Sequence, residues 1–156
     1  MKTLFLLLLV SFTLVLAEED SVKVVYDLTT KDVKTFEKKI LKAIVANKAY
    51  YEGKLQELDV SVVIHGGAYR YFSKNPAQTE YKTDSLLLKD FTSLTKRIKS
   101  MHDTYDVTFF ICEVGMAKHG LTSKDIVSYV KIIPNSSIAL IDKQNEGYAY
   151  IPVGDK

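Results

Sequence analysis

From Val22 the chain alternates between short β-branched runs and amphipathic stretches. Val22-Lys23-Val24-Val25-Tyr26 predicts a first strand, and Leu58 to Ile64, Leu-Asp-Val-Ser-Val-Val-Ile, predicts a second. Between them Val33, Phe36, Ile40 and Ile44 recur at spacings of three and four, one face of a helix with Thr30 as its expected N-cap, and Gly53 falls in the break that follows. His65-Gly66-Gly67 ends the second strand, and a polar and aromatic segment runs from Tyr69 to Tyr81, interrupted by Asn75-Pro76. Leu87, Phe91, Leu94, Ile98 and Met101 mark a long amphipathic helix. The apolar run Val107 to Ile111 reads as a strand covered on both faces, with Cys112 at its end. A short helix from Glu113, stopped by Gly120 in the C′ position, comes next, and Thr122 with Asp125 forms a capping box for another short helix. Val130 to Ile133, Asn135 to Asn145 and Tyr148 to Val153 complete the pattern as strand, helix and strand.

Such alternation predicts a single α/β domain with about five strands in a mostly parallel sheet and helices on both faces, a flavodoxin-like layering. Ahead of it, Lys2 and the apolar run from Leu4 to Leu16 end in Ala17 before Glu18-Glu19-Asp20. A basic start, a short apolar core and a small residue before an acidic stretch predict a secretory signal peptide over residues 1–17, with residues 18–156 as the mature domain. The apolar run is shorter than the roughly 20 residues of a spanning helix, so no membrane anchor is expected after cleavage, and the mature protein is expected to be periplasmic or secreted. No cysteine follows Ala17, so a lipid-modified N-terminus is not expected.

Composition narrows the chemistry. The 156 residues carry a formal net charge of +2 and one cysteine. That balance gives no case for nucleic-acid binding, and one thiol supplies neither an internal disulfide nor a multi-thiolate zinc site. The basic groups Lys38-Lys39-Lys42 and Lys96-Arg97-Lys99 read as solvated helix faces. Three histidines with no mutual spacing pattern argue against a metal. Neither a G-x-G-x-x-G nor a Walker-type loop occurs, and the first strand's end, Asp27 to Asp32, contains no glycine, so a nucleotide or flavin is disfavoured and no cofactor is expected.

In open α/β sheets ligands bind beyond the carboxyl ends of the strands. At the second end, Gly66 and Gly67 permit a sharp turn and close approach to a ligand, and His65 could act as a base, a hydrogen-bond donor or a ligand; the alternative is a tight turn whose histidine bonds a nearby carbonyl. At the third, Cys112 stands between a strand and a helix N-terminus, where unpaired N–H groups favour the nucleophilic thiolate; the alternative is a small buried hydrophobe. Glu113 opposes the thiolate. His119, two turns beyond at about 10 Å, is too far for direct proton transfer within one chain.

Phe109-Phe110-Ile111-Cys112-Glu113, Gly120-Leu121-Thr122, Ile132-Ile133-Pro134 and Gln144-Asn145-Glu146-Gly147-Tyr148-Ala149-Tyr150 resemble the DsrE/DsrF-like family, as do Val24-Val25-Tyr26-Asp27-Leu28 and the later Val-Val-Ile-His65-Gly66. The resemblance spans Val22 to Val153. It implies a five-stranded, largely parallel sheet, assembly into homo-oligomers (trimers or hexamers), and a persulfide carried on the cysteine at the position of Cys112, exchanged with a sulfur-donor or acceptor protein. Many relatives have an Asn-Thr pair shortly after that cysteine, where this chain has Glu113-Val114-Gly115. Two readings follow: an exported sulfur-handling protein using Cys112, or a non-catalytic binding or assembly module in which His65-Gly66-Gly67 and the Cys112 loop form a subunit-interface pocket and tyrosines such as Tyr69, Tyr71 and Tyr81 form an interface or the rim of a core.

Overall fold

The computed structural model describes residues 21–155, so the expected signal segment lies outside the described residues. Strands β1 (Val22–Leu28), β2 (Leu58–Ile64), β3 (Val107–Cys112), β4 (Lys131–Ile133) and β5 (Ala149–Val153) form one sheet in the order β4-β3-β2-β1-β5. Every neighbouring pair is parallel. Leu28 lies opposite Ile64 and Ile64 opposite Ile111, which aligns the carboxyl ends of the three central strands.

Parallel strands need crossovers, and here helices supply them. Helices α1 (Val33–Phe36) and α2 (Ala43–Glu52) are joined by a π-helical stretch, Glu37–Lys42. That wider turn has a sequence cause: Phe36, Ile40 and Ile44 are spaced four apart, and a regular helix would rotate them steadily off the sheet. All three are fully buried. The helix start differs from the expected Thr30. Asp32 is the N-cap, accepting from the Thr35 N–H at 2.8 Å, because Thr30 is buried and its Oγ1 donates to Asp155 at 2.5 Å.

The segment from Tyr69 to Tyr81 exposes polar residues such as Lys74, Asn75 and Gln78 but turns its aromatic side chains inward. It folds into 3₁₀ turns at Gly66–Tyr71, Pro76–Gln78 and Glu80–Thr83, and Tyr69, Tyr71, Phe72 and Tyr81 enter the core. Tyr71 stacks on Phe36 with ring centroids 4.2 Å apart. These tyrosines are therefore neither an interface nor a rim. Helix α3 (Ser85–Asp103) buries Leu87, Leu94, Ile98 and Met101 as its periodicity requires. The short α4 (Glu113–Lys118) ends at Gly120, whose φ of +61° closes a Schellman motif: Gly120 N–H bonds the Ala117 carbonyl and Leu121 N–H the Met116 carbonyl. The Thr122–Asp125 capping box is present, but it starts a single 3₁₀ turn, Ser123–Asp125.

The two faces of the sheet are unequal. Val24, Tyr26, Val60, Val62, Val107 and Phe109 point into the large core with α1 to α4. On the other face α5 (Ser136–Asn145) is the one helix among the described residues, covering Val25 and Val63 with Ala139 and Leu140. As a result β3, expected to be covered on both faces, leaves Thr108 and Phe110 half-buried.

Candidate functional site

The strand order places the crevice. From β1 to β4 the chain steps in one direction, with its crossover helices packed in the large core. After β4 it turns back across the sheet, and α5 takes the opposite face to reach β5. The connections leaving β3 and β4 therefore diverge, and the gap between their carboxyl ends is the topological switch point. Cys112 closes β3 in that gap.

Cys112 is the N-cap of α4, with extended backbone (φ −75°, ψ 117°) that turns the chain into the helix. Burial is the largest influence on its thiol and works against ionisation. Donors outweigh it: the Gly115 N–H, the Ser136 N–H and hydroxyl, and the Tyr69 hydroxyl together hold the thiol below the ordinary cysteine value. Tyr69 Oη also donates to the Cys112 carbonyl at 2.8 Å, and its own ionisation is pushed well up by burial and by the neighbouring sulfur. It remains a hydrogen-bond donor at neutral pH. Gly115 has a steric reason to be glycine, since a Cβ there would overlap the Tyr69 hydroxyl.

Ser136 reaches the sulfur because Asn135 caps α5, its Oδ1 accepting from the Ser137 N–H at 2.8 Å. The sulfur thus sits between the first turns of two helices on opposite faces of the sheet. Cys112 is only 5% exposed, more enclosed than a strand-end loop suggests. Access is through a cleft of about 260 Å³ lined by His65, Gly66, Tyr69, Cys112, Val114, Gly115, Lys118, His119, Asn135 and Ser136.

The structure brings Cys112, His65 and Gly66 together on this cleft. Gly67 is outside its lining; its N–H donates to the Thr29 carbonyl at 2.9 Å, and a Cβ there would press on Lys31 at 2.8 Å. Its role is to let β2's exit pass tightly beneath the β1 loop. Gly66 has φ +58°, the left-handed region that favours glycine. The His65 imidazole bonds a carboxylate and not a carbonyl. Its Nε2 lies 2.5 Å from Asp27 Oδ1, and Asp27 Oδ2 accepts from the Tyr150 hydroxyl at 2.6 Å. Burial works against the Asp27 anion, and the His65 and Tyr150 contacts overcome it, holding the carboxyl below its ordinary range.

His119, set aside on helical spacing, stands on the cleft wall, its ring 5.1 Å from that of Tyr69 and its Nδ1 bonded to Glu80. Tyr69, Gly115, Asn135 and Ser136 were not legible as site residues. Asn135 and Ser136 follow the carboxyl end of β4, so the rule that points to Cys112 points to them also. Tyr69 lies 43 residues from Cys112, and no local pattern connects them. Among the described residues, no helix is long and apolar enough to cross a membrane.

Comparison with known proteins agrees with this architecture. The chain is similar to a solved structure of a protein of unknown function, MTH1491 from Methanobacterium thermoautotrophicum, with a TM-score of 0.54 and 20% identity, covering 85% of this chain and 99% of that one. At that identity the likeness speaks for the fold alone. An uncharacterized protein of Aquifex aeolicus is 30% identical over 59 residues, which are 38% of this chain and 26% of that protein. This chain thus matches about a quarter of that relative's length. The model of the DsrE/DsrF-like family matches residues 23–153, from the opening of β1 to the last residue of β5, so this chain belongs to the DsrE/DsrF-like family.

Proposed function

We propose that this protein handles sulfur through Cys112, accepting a sulfane sulfur as a persulfide and passing it on. The observation that carries the reading is the place of Cys112 at the cap of α4 on a cleft, where the Gly115, Ser136 and Tyr69 donors hold its thiol below the ordinary cysteine value despite near-complete burial. A thiolate is the form that attacks electrophilic sulfur. Loading from a hydropersulfide balances without an oxidant: Cys112–SH and R–S–SH give Cys112–S–SH and R–SH. Family membership supports the same class of chemistry.

The apolar run ahead of residue 18 supports export to the periplasm or outside the cell. The setting is a homo-oligomer exchanging sulfur with a donor or acceptor protein, without nucleic acid. Ile138 and Ile141, one turn apart on α5 and each 56% exposed, support contact between copies.

The test is intact mass after incubation with thiosulfate, polysulfide or a small hydropersulfide. The expected result is a gain of one sulfur atom that reducing agent removes and that Cys112→Ser lacks. No gain on the wild type, or the same gain on Cys112→Ser, overturns the reading. The tight enclosure of the sulfur favours a second reading, a pocket that binds a small ligand without transfer. It predicts an unreactive thiol and ligand binding retained in Cys112→Ser.

A further inference from the structure

We propose that His65 is the proton donor to the thiol that leaves when Cys112 takes sulfur from its donor, and that Asp27, braced by Tyr150, positions the imidazole for that step. The inference rests on the sulfur-transfer reading and adds the proton path that it lacks.

The arrangement divides the work across the cleft. The groups favouring the Cys112 thiolate are amide and hydroxyl donors, and His65 is not among them. Two amides, a serine hydroxyl and a tyrosine held far from ionisation cannot shuttle a proton near neutral pH. Cys112 depends less on a base, because these donors hold its thiol below the ordinary cysteine value. What lacks a partner is the incoming molecule: when Cys112 attacks the terminal sulfur of R–S–SH, the S–S bond breaks and its electron pair stays on RS⁻. An aliphatic thiolate leaves more slowly than one of lower pKa, and a proton delivered as the S–S bond breaks speeds its departure.

His65 and Cys112 come from adjacent strand ends and line the same cleft. The charged and titratable groups facing His65 are Asp27 from β1 and, through Asp27, Tyr150 from β5. From the other cleft walls come Cys112, Tyr69, Lys118 and His119. Asp27 binds Nε2, which fixes the ring and leaves Nδ1 outside that contact, on a residue that lines the cleft. His119 is committed to Glu80 at the outer wall. The step is then balanced: the Cys112–S bond forms, the donor S–S bond breaks, the imidazolium proton passes to RS⁻, and solvent reprotonates His65. No oxidant or reductant is consumed.

The experiment compares exchange rates of Cys112 in the wild type, His65→Gln, Asp27→Asn and Tyr150→Phe with three probes. These are a small aliphatic hydropersulfide, hydroxyethyl disulfide, and an aromatic disulfide whose thiolate leaves without a proton. The expected wild-type rate with aliphatic probes is bell-shaped in pH, as a nucleophile that must ionise and an acid that must keep its proton require. In His65→Gln the alkaline fall disappears and the aliphatic rates drop about 10²-fold, the low end for general acid catalysis. With the aromatic probe the deficit shrinks below about tenfold. Asp27→Asn shifts the alkaline limb and added imidazole partly restores His65→Gln, neither of which a purely structural role predicts. Equal slowing with all probes, or an unchanged pH profile in His65→Gln, overturns the proposal. A wild type that exchanges with disulfides but never gains sulfur overturns the persulfide reading separately.

Discussion

At the scale of single residues, Tyr69 governs the Cys112 site more than any neighbour in sequence. Its hydroxyl satisfies the Cys112 carbonyl and adds to the donors around the sulfur. Tyr69→Phe removes one of the hydrogen bonds to the Cys112 carbonyl and should cost about 1 kcal/mol, read as a lower urea midpoint. The same change should raise the midpoint of the pH dependence of Cys112 alkylation, because one stabiliser of the anion is gone. The sign of the linked stability follows: a thiol ionising below its unfolded value adds stability above the unfolded value, and the gain is lost as pH falls through the folded one. A midpoint that stays put in Tyr69→Phe would remove the hydroxyl from the site. Cys112 itself was legible from its place between an apolar run and a helix start. Tyr69 was not, because 43 residues separate the two and only the packing of the Gly66–Tyr71 turn against α4 joins them.

At the scale of elements, local rules worked where the chain closes its own hydrogen bonds. Gly120 terminates α4 in the predicted way because the left-handed C′ position is set by backbone sterics alone. Thr30 failed as a cap because a tertiary partner, Asp155, takes its hydroxyl and leaves the N3 amide to Asp32. The π-helical turn before α2 arises similarly, from a core that draws Phe36, Ile40 and Ile44 to one line. Capping at α5 ties an element to the chemistry. Asn135→Ala should cost about 1 kcal/mol of stability and, by loosening the first turn that presents Ser136, raise the Cys112 midpoint as well. Chemical denaturation and alkylation against pH measure the two effects on the same protein. Loss of stability without any change at the thiol would uncouple the cap from the site.

At the scale of the whole molecule, the unequal faces of the sheet decide where chemistry and contact can occur. One face is packed with four helices, while the other, among the described residues, carries α5, with Ile138 and Ile141 exposed. If copies meet there, Ile138→Lys with Ile141→Lys should convert the assembly to monomers in sedimentation while leaving the circular dichroism spectrum intact. An unchanged sedimentation coefficient would exclude this face as the contact. The sequence by itself determined the strand–helix alternation, the parallel class of the sheet and the strand-end position of Cys112, because side-chain periodicity and backbone chirality act over a few residues. Only the tertiary structure decided the order β4-β3-β2-β1-β5, and with it the switch point between β3 and β4. That order joins Cys112 to Ser136 and Tyr69, and Asp27 to His65 and Tyr150. These contacts cross between strand ends, so they exist only once the sheet has assembled.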